Sequence, residues 1–240
     1  RLLSSPAYGE QWGRYWLEAA GYADSEGAVS ADSIRTHAWR YRDYVIRSLN
    51  ADKPYDRFLM EQIAGDEMFD YKAASEYTKE QQDHLIATGF LRMAPDATYS
   101  TEQNFMPERF DVIANQIEIL SSSVMGLTLG CARCHDHKFD PLPQRDYYRL
   151  AAILQPAYDP YDWRIPNLNM IGVGAKPDPA LTRQLPLRDT AEQEAVRSHN
   201  APLEARIAEL KEQIKDRFAP FRRQIQLDNL ARLPETVRDE

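Results

Sequence analysis

"FDVIANQIEILSSSVMGLTLGCARCHDHKFDP", residues 110–141, decides how this chain is read. Phe110, Ile113, Ile117, Leu120, Val124, Leu127, Cys131 and Cys134 recur at alternating steps of three and four, the spacing that aligns one face of an α-helix. It predicts a single apolar stripe that runs into the cysteine pair and puts both thiols on the buried face. Gly126 and Gly130 interrupt the stripe at about 1 kcal/mol each relative to alanine, tolerable where backbone must approach something closely, a bulky flat cofactor for instance. Pro141 and Pro143 then forbid helix continuation. Pro143 suits the start of a further helix through Tyr147, Leu150, Ala151 and Leu154.

Upstream of this stretch the apolar spacing stays helical, and alternating strand-like runs are scarce, which predicts a mainly α protein. Helices are expected over Tyr8 to Ala20, Ile34 to Leu49, Pro54 to a stop at Gly65, and Gln81 to Thr88. Their aromatic residues, Trp12, Trp16, Trp39, Tyr41, Tyr44, Tyr55 and Phe58, could wall a flat ligand or fill an aromatic-rich core. Downstream, Pro156, Pro160, Pro166, Pro177, Pro179 and Pro186 with Gly172 and Gly174 erase the helical period, so 156–189 is expected to be a Pro-rich covering loop or linker. Leu203, Ile207, Leu210 and Ile214 then mark 190–240 as a helical, coiled-coil-like extension that looks truncated at its end. The compact helical core is expected within 1–155.

The 240-residue chain has a net charge of −8 and a pI near 5.2, which works against phosphate backbones and anionic surfaces and argues against a nucleic-acid partner. No apolar run approaches the roughly 18 residues of a membrane span. The opening Arg1-Leu2-Leu3-Ser4-Ser5-Pro6 has neither a methionine nor a signal-peptide layout, so a longer parent protein is expected. Its 2 cysteines are too few for a disulfide framework. Their role, if any, is local.

Cys131, Cys134 and His135 form C-x-x-C-H, the attachment motif of c-type haem. In it, each thiol adds its sulfur and hydrogen across one vinyl group, and the following histidine binds iron from one side. Three other readings compete. Zinc could use Cys131, Cys134, His135 and His137, though these ligands crowd one short loop where zinc prefers two separated knuckles. A thioredoxin-like pair needs a strand before the motif. The cysteines could also be structural, beside an incidental histidine.

The runs "SPAYGEQWGRYWLEAAGYADS", "AWRYRDYVIRSLNADKPYDRFLMEQIAGD", "LIATGFLR" and "GLTLGCARCHDHKFDPLPQRDYYRL" resemble the planctomycete cytochrome C-type domain family, over roughly 1–155 in order. The resemblance implies a cytochrome c-like helical core with one covalent haem c, Cys131 and Cys134 as thioether anchors and His135 as axial ligand. It also implies an exported protein, periplasmic or cell-surface, with flanking domains, but it supplies no reaction.

A second axial ligand must reach the opposite face of the ring from another segment. Met93 and Met170 are the foremost choices, with Met106, His84 and His37 behind them. His137 is too close in sequence to cross the ring. It is expected to hydrogen-bond or pair with a propionate, or to be a surface histidine in a charged turn. His37, Arg40 and Arg42 are read as the nearest distal proton handlers, and Arg40 and Arg42 equally as propionate partners or solvated helix charges. The leading expectation is a module passing electrons to a donor or acceptor domain or protein, possibly in the same full-length chain. The alternatives are a peroxidase-like enzyme with an open iron, and a structural haem or zinc site in an assembly module.

Overall fold

The computed structural model describes residues 1–27, 32–100, 102–165, 183, 187 and 189–231. The mainly α expectation holds: the described residues form seven α-helices and no strand, with one isolated antiparallel bridge between Ser25 and Ile34. The chain divides into two compact units, Arg1–Arg188 and Asp189–Glu240.

In the first unit, α1 (Ala7–Ala19) follows the Ser5-Pro6 start and packs against α2 (Ala38–Asn50). The approach is close enough that a Cβ on Gly9 would lie 2.4 Å from the Ile46 carbonyl oxygen, and the Gly9 amide donates to Asn50 Oδ1 at 2.8 Å. The expected second helix begins late, because Ile34 and Arg35 are held elsewhere. Ile34 pairs with Ser25, and buried Arg35 donates to Glu26 (2.9 Å) and to the carbonyls of Met93 (3.2 Å) and Ala94 (2.7 Å). Those partners outcompete one more helical turn.

Helix α3 (Tyr55–Ala64) ends at Gly65 as expected, but for another reason. Gly65 has φ −60°, an ordinary helical value, and a Cβ there would sit 2.1 Å from the His84 carbonyl oxygen. Close packing on α4 (Lys79–Ala87) requires the glycine, not a left-handed turn. Helix α4 opens earlier than its apolar spacing indicates, because Thr78 and Gln81 form a reciprocal capping box. Helices α5 (Met106–Leu120) and α6 (Gln144–Leu154) complete the unit.

Two apolar clusters result. Ala20, Tyr41, Tyr44, Val45, Phe58, Ala87, Phe90, Met93 and Leu120 form the first, with Trp16 packed on it. Here the aromatic side chains are core: Trp16 meets Phe58 edge-on at 5.0 Å, and the Trp16 indole N–H is placed by Tyr41 Oη (2.9 Å) and Gln62 Oε1 (3.0 Å). Trp12, Trp39 and Tyr55 instead remain exposed. The second cluster joins α5 to α6 through Val112, Ile113, Ile117, Leu129, Ala132, Tyr147, Leu154 and Tyr158.

Between α2, α3 and α4 the Glu61 carboxylate is almost wholly buried and accepts from Tyr44 Oη (2.8 Å), Lys53 Nζ (2.5 Å) and Arg57 Nε (3.0 Å). Three donors satisfy a charge that burial alone would penalise heavily.

The second unit contains α7 (Thr190–Ala231), which runs through Pro202 and Pro220. Leu203, Ile207, Leu210 and Ile214 are all exposed on it, joined by Phe218, Phe221 and Ile225. No helix among the described residues is long and apolar enough to cross a membrane.

Candidate functional site

The stripe that leads to Cys131 does not continue as one helix. Ser121, Ser122 and Ser123 follow α5, and their hydroxyls turn back onto its last carbonyls: Ser122 Oγ donates to Glu118 O at 2.6 Å and Ser123 Oγ to Ile119 O at 2.5 Å. Such back-bonding weakens the helical ladder and favours a bend. The backbone widens into a π turn over Ser121–Met125 and ends at Gly126, whose φ of 65° is left-handed. Gly126 reverses the chain; it does not serve a close approach, since a Cβ there would meet nothing within 4 Å.

The motif resumes as a 3₁₀ turn, Leu129–Arg133, closed by Cys134. Three residues per turn make positions i and i+3 eclipse. Leu129 and Ala132 therefore share the face buried in the α5–α6 cluster, while Cys131 and Cys134 are both exposed free thiols. This corrects the expectation of buried cysteines. The α-helical register that would bury them is lost at Gly126, and Ala132, one of the two residues between them, anchors the turn.

Several groups hold this turn in place. The Gly130 amide donates to Glu118 Oε2 at 3.0 Å, and a Cβ on Gly130 would lie 2.3 Å from that oxygen, so the second glycine accommodates a carboxylate. The Arg133 carbonyl accepts from Gln144 Nε2 (3.2 Å) and Tyr148 Oη (3.0 Å), both from α6, while its guanidinium pairs with Asp111 at 3.0 Å. Neighbouring Tyr147 is pushed up in pKa by burial, against the pull of Arg133 and with a contribution from Cys134.

The two histidines differ sharply. His135 is exposed and its Nδ1 lies 2.7 Å from the Asp136 carbonyl oxygen. A carbonyl can only accept, so Nδ1 carries the hydrogen, and in the neutral imidazole Nε2 then keeps its lone pair for a ligand. The His137 side chain is 6% exposed. Its Nδ1 accepts the amides of Phe139 (3.3 Å) and Asp140 (2.9 Å), and its Nε2 is 3.0 Å from Thr128 Oγ1. Both nitrogens are thus spent on pinning the loop, so the surface-histidine reading is corrected. Use of His137 as a zinc ligand would undo that loop, and among the described residues no three or more His, Cys, Asp or Glu side chains gather as a metal-holding group.

The remaining candidates are dispersed. Met93 lies in the first core cluster at 3% exposure, its carbonyl bound by Arg35. Met170 falls outside the described residues. His84 is buried beside Glu61, with Nε2 at 3.7 Å from its Oε1. Arg42 pairs with Asp43 at 2.9 Å, and the Arg40 guanidinium lies 4.7 Å over the Trp39 ring. His37 precedes α2, and Met106 begins α5. Sequence reasoning missed Glu118, Thr128, Asp136, Gln144 and Tyr148, which hold the motif across 8 to 15 residues of chain. Pairings at that separation carry no local period or cap signature.

The residues present suit a c-type haem: two unblocked thiols three residues apart and an exposed imidazole whose Nδ1 is held by a carbonyl, with apolar Phe139 (82%) and Met125 (52%) also exposed in this stretch. Comparison with known proteins gives one family model, PSCyt2, described as a protein of unknown function (DUF1549), which matches residues 1–159. No curated protein and no solved structure matches the chain.

Proposed function

From the premise that this chain belongs to the PSCyt2 family, we propose that it is a c-type cytochrome module that binds one covalent haem and passes electrons within a larger exported protein. The observation that carries the reading is the joint exposure of the free thiols of Cys131 and Cys134, followed at once by a histidine whose Nδ1 is already occupied by a carbonyl. Cys131 and Cys134 would hold the group by thioethers, and His135 Nε2 would be its axial ligand. A bound haem supplies one-electron chemistry. The chain's own part is to expose both thiols, to fix the imidazole's tautomer, and to seat the turn on Leu129 and Ala132 so that the anchors do not drift.

Electron transfer is favoured over peroxide chemistry because two of the three side chains proposed for distal proton handling are engaged elsewhere, Arg42 by Asp43 and Arg40 over Trp39. The donor or acceptor would be another domain or protein, and the location periplasmic or cell-surface, where c-type haem is attached.

Expression with a cytochrome c maturation system tests the reading. The intact mass should exceed the 27.7 kDa chain by one haem and the colour should survive acid acetone, with reduced and oxidised visible spectra reporting the axial field. A bare chain mass with stoichiometric zinc would overturn it.

A further inference from the structure

The imidazole of His135 is exposed, so without an internal partner its ring would turn and exchange tautomers in water. Its partner is the carbonyl of the next residue, at 2.7 Å. That carbonyl is useful only if the Asp136 peptide is itself fixed, and Asp136 is exposed too. The fixing comes from its side chain: Oδ1 accepts the Gln144 amide, the first amide of α6, at 2.7 Å. A carboxylate is well matched there, where helix amides lack intrahelical partners and the dipole is positive. Helix α6 is in turn anchored by buried Tyr147 and Leu154, and Gln144 Nε2 and Tyr148 Oη grip the Arg133 carbonyl two residues before His135.

We propose that Asp136 is the positioning residue of the motif, its carboxylate locked to the start of α6 so that its backbone carbonyl fixes the ring and tautomer of His135. The proposal rests on the haem reading for its effect on redox behaviour, but its structural half concerns this chain alone. A carbonyl acceptor on Nδ1–H raises the basicity of Nε2, and a more basic ligand favours the ferric over the ferrous state. Asp136 thereby acts on potential through His135 without touching the iron.

Two readouts test this. In the metal-free chain, nitrogen-15 NMR of the His135 ring should show the Nδ1–H form in the wild type and in Asp136→Asn, whose amide oxygen can still accept from Gln144, but a tautomer mixture in Asp136→Ala. Gln144→Pro deletes the donor while suiting the first helical position, and it should reproduce the mixture even if Asp136→Ala does not fold. Gln144→Ala, which loses only the Nε2 bond to Arg133, should keep the Nδ1–H form. In the holoprotein, loss of such an outer partner typically weakens ligand hold by about tenfold. If that loss falls on the ferric state, the potential of Asp136→Ala rises by about 60 mV, at 59 mV per decade for one electron. A His135 tautomer unchanged in Gln144→Pro and in any folded Asp136→Ala would overturn the proposal. Should the wild-type chain take up no haem, the haem reading fails, and the nitrogen spectrum still decides whether Asp136 positions the ring.

Discussion

His135 Nε2 is left with a free lone pair by the Asp136 carbonyl, whereas His137 gives both ring nitrogens to its own loop. Replacing each by alanine should therefore produce different losses. His135→Ala keeps both thiols for attachment but removes the proximal nitrogen, so spin state and potential should change in the visible spectrum of the holoprotein. His137→Ala strands the amides of Phe139 and Asp140 and the Thr128 hydroxyl, and should cost about 1–3 kcal/mol in a urea titration with the axial field nearly intact. An unchanged spectrum in the first variant and a collapsed one in the second would exchange the two roles.

Among the elements, the segment from α5 to α6 matters most, because a change of helix type there decides which side chains face water. Steps of three and four satisfy an α-helix, and the α5 portion obeys them, with Ile113, Ile117 and Leu120 buried. Past the serines the repeat shortens to three residues per turn, and the same letters deliver Leu129 and Ala132 inward and the cysteines outward. Gly126 makes the switch, since only there does the segment need a left-handed backbone. Gly126→Ala should cost about 1–2 kcal/mol through that backbone alone, there being open space around the added methyl. A lowered urea midpoint with reduced haem attachment is the expected result. Unchanged stability would mean that the turn can form without left-handed geometry.

Over the whole molecule, two buried carboxylates link elements distant in sequence and set the response to acid. Glu61 joins α2, α3 and α4; burial would raise its pKa, but hydrogen bonds from Lys53, Tyr44 and Arg57 outweigh it and hold the pKa below the usual range. Burial likewise opposes ionisation of Asp96, and Arg183, Arg92 and Thr98 override it. A carboxylate with a depressed folded pKa stabilises the fold above its unfolded pKa, and that contribution disappears as pH falls through the folded value. The melting temperature should therefore hold near neutrality and decline from about pH 4, the unfolded carboxylate range, downward. Glu61→Gln should lower stability at neutral pH by about 1–3 kcal/mol and flatten the acid decline. A melting curve indifferent to pH down to about pH 3 would contradict this account.

The sequence by itself determined the helical class, the approximate limits of α1, α3 and α6, and the C-x-x-C-H spacing, because apolar period, proline starts and residue spacing are local properties of neighbouring letters. It did not determine which way the motif faces. A stripe in steps of three and four cannot reveal that three serines and a left-handed glycine will change the helix type midway, nor that Ala132 will outcompete the larger cysteines for the core. The late start of α2 was equally hidden, since it depends on Arg35 reaching Glu26 and the Met93 and Ala94 carbonyls, up to 59 residues away. Only the tertiary structure decided these points, because burial and hydrogen bonding are settled by partners brought together from distant parts of the chain, and the free energy of those contacts exceeds the few tenths of a kilocalorie that separate one local conformation from another.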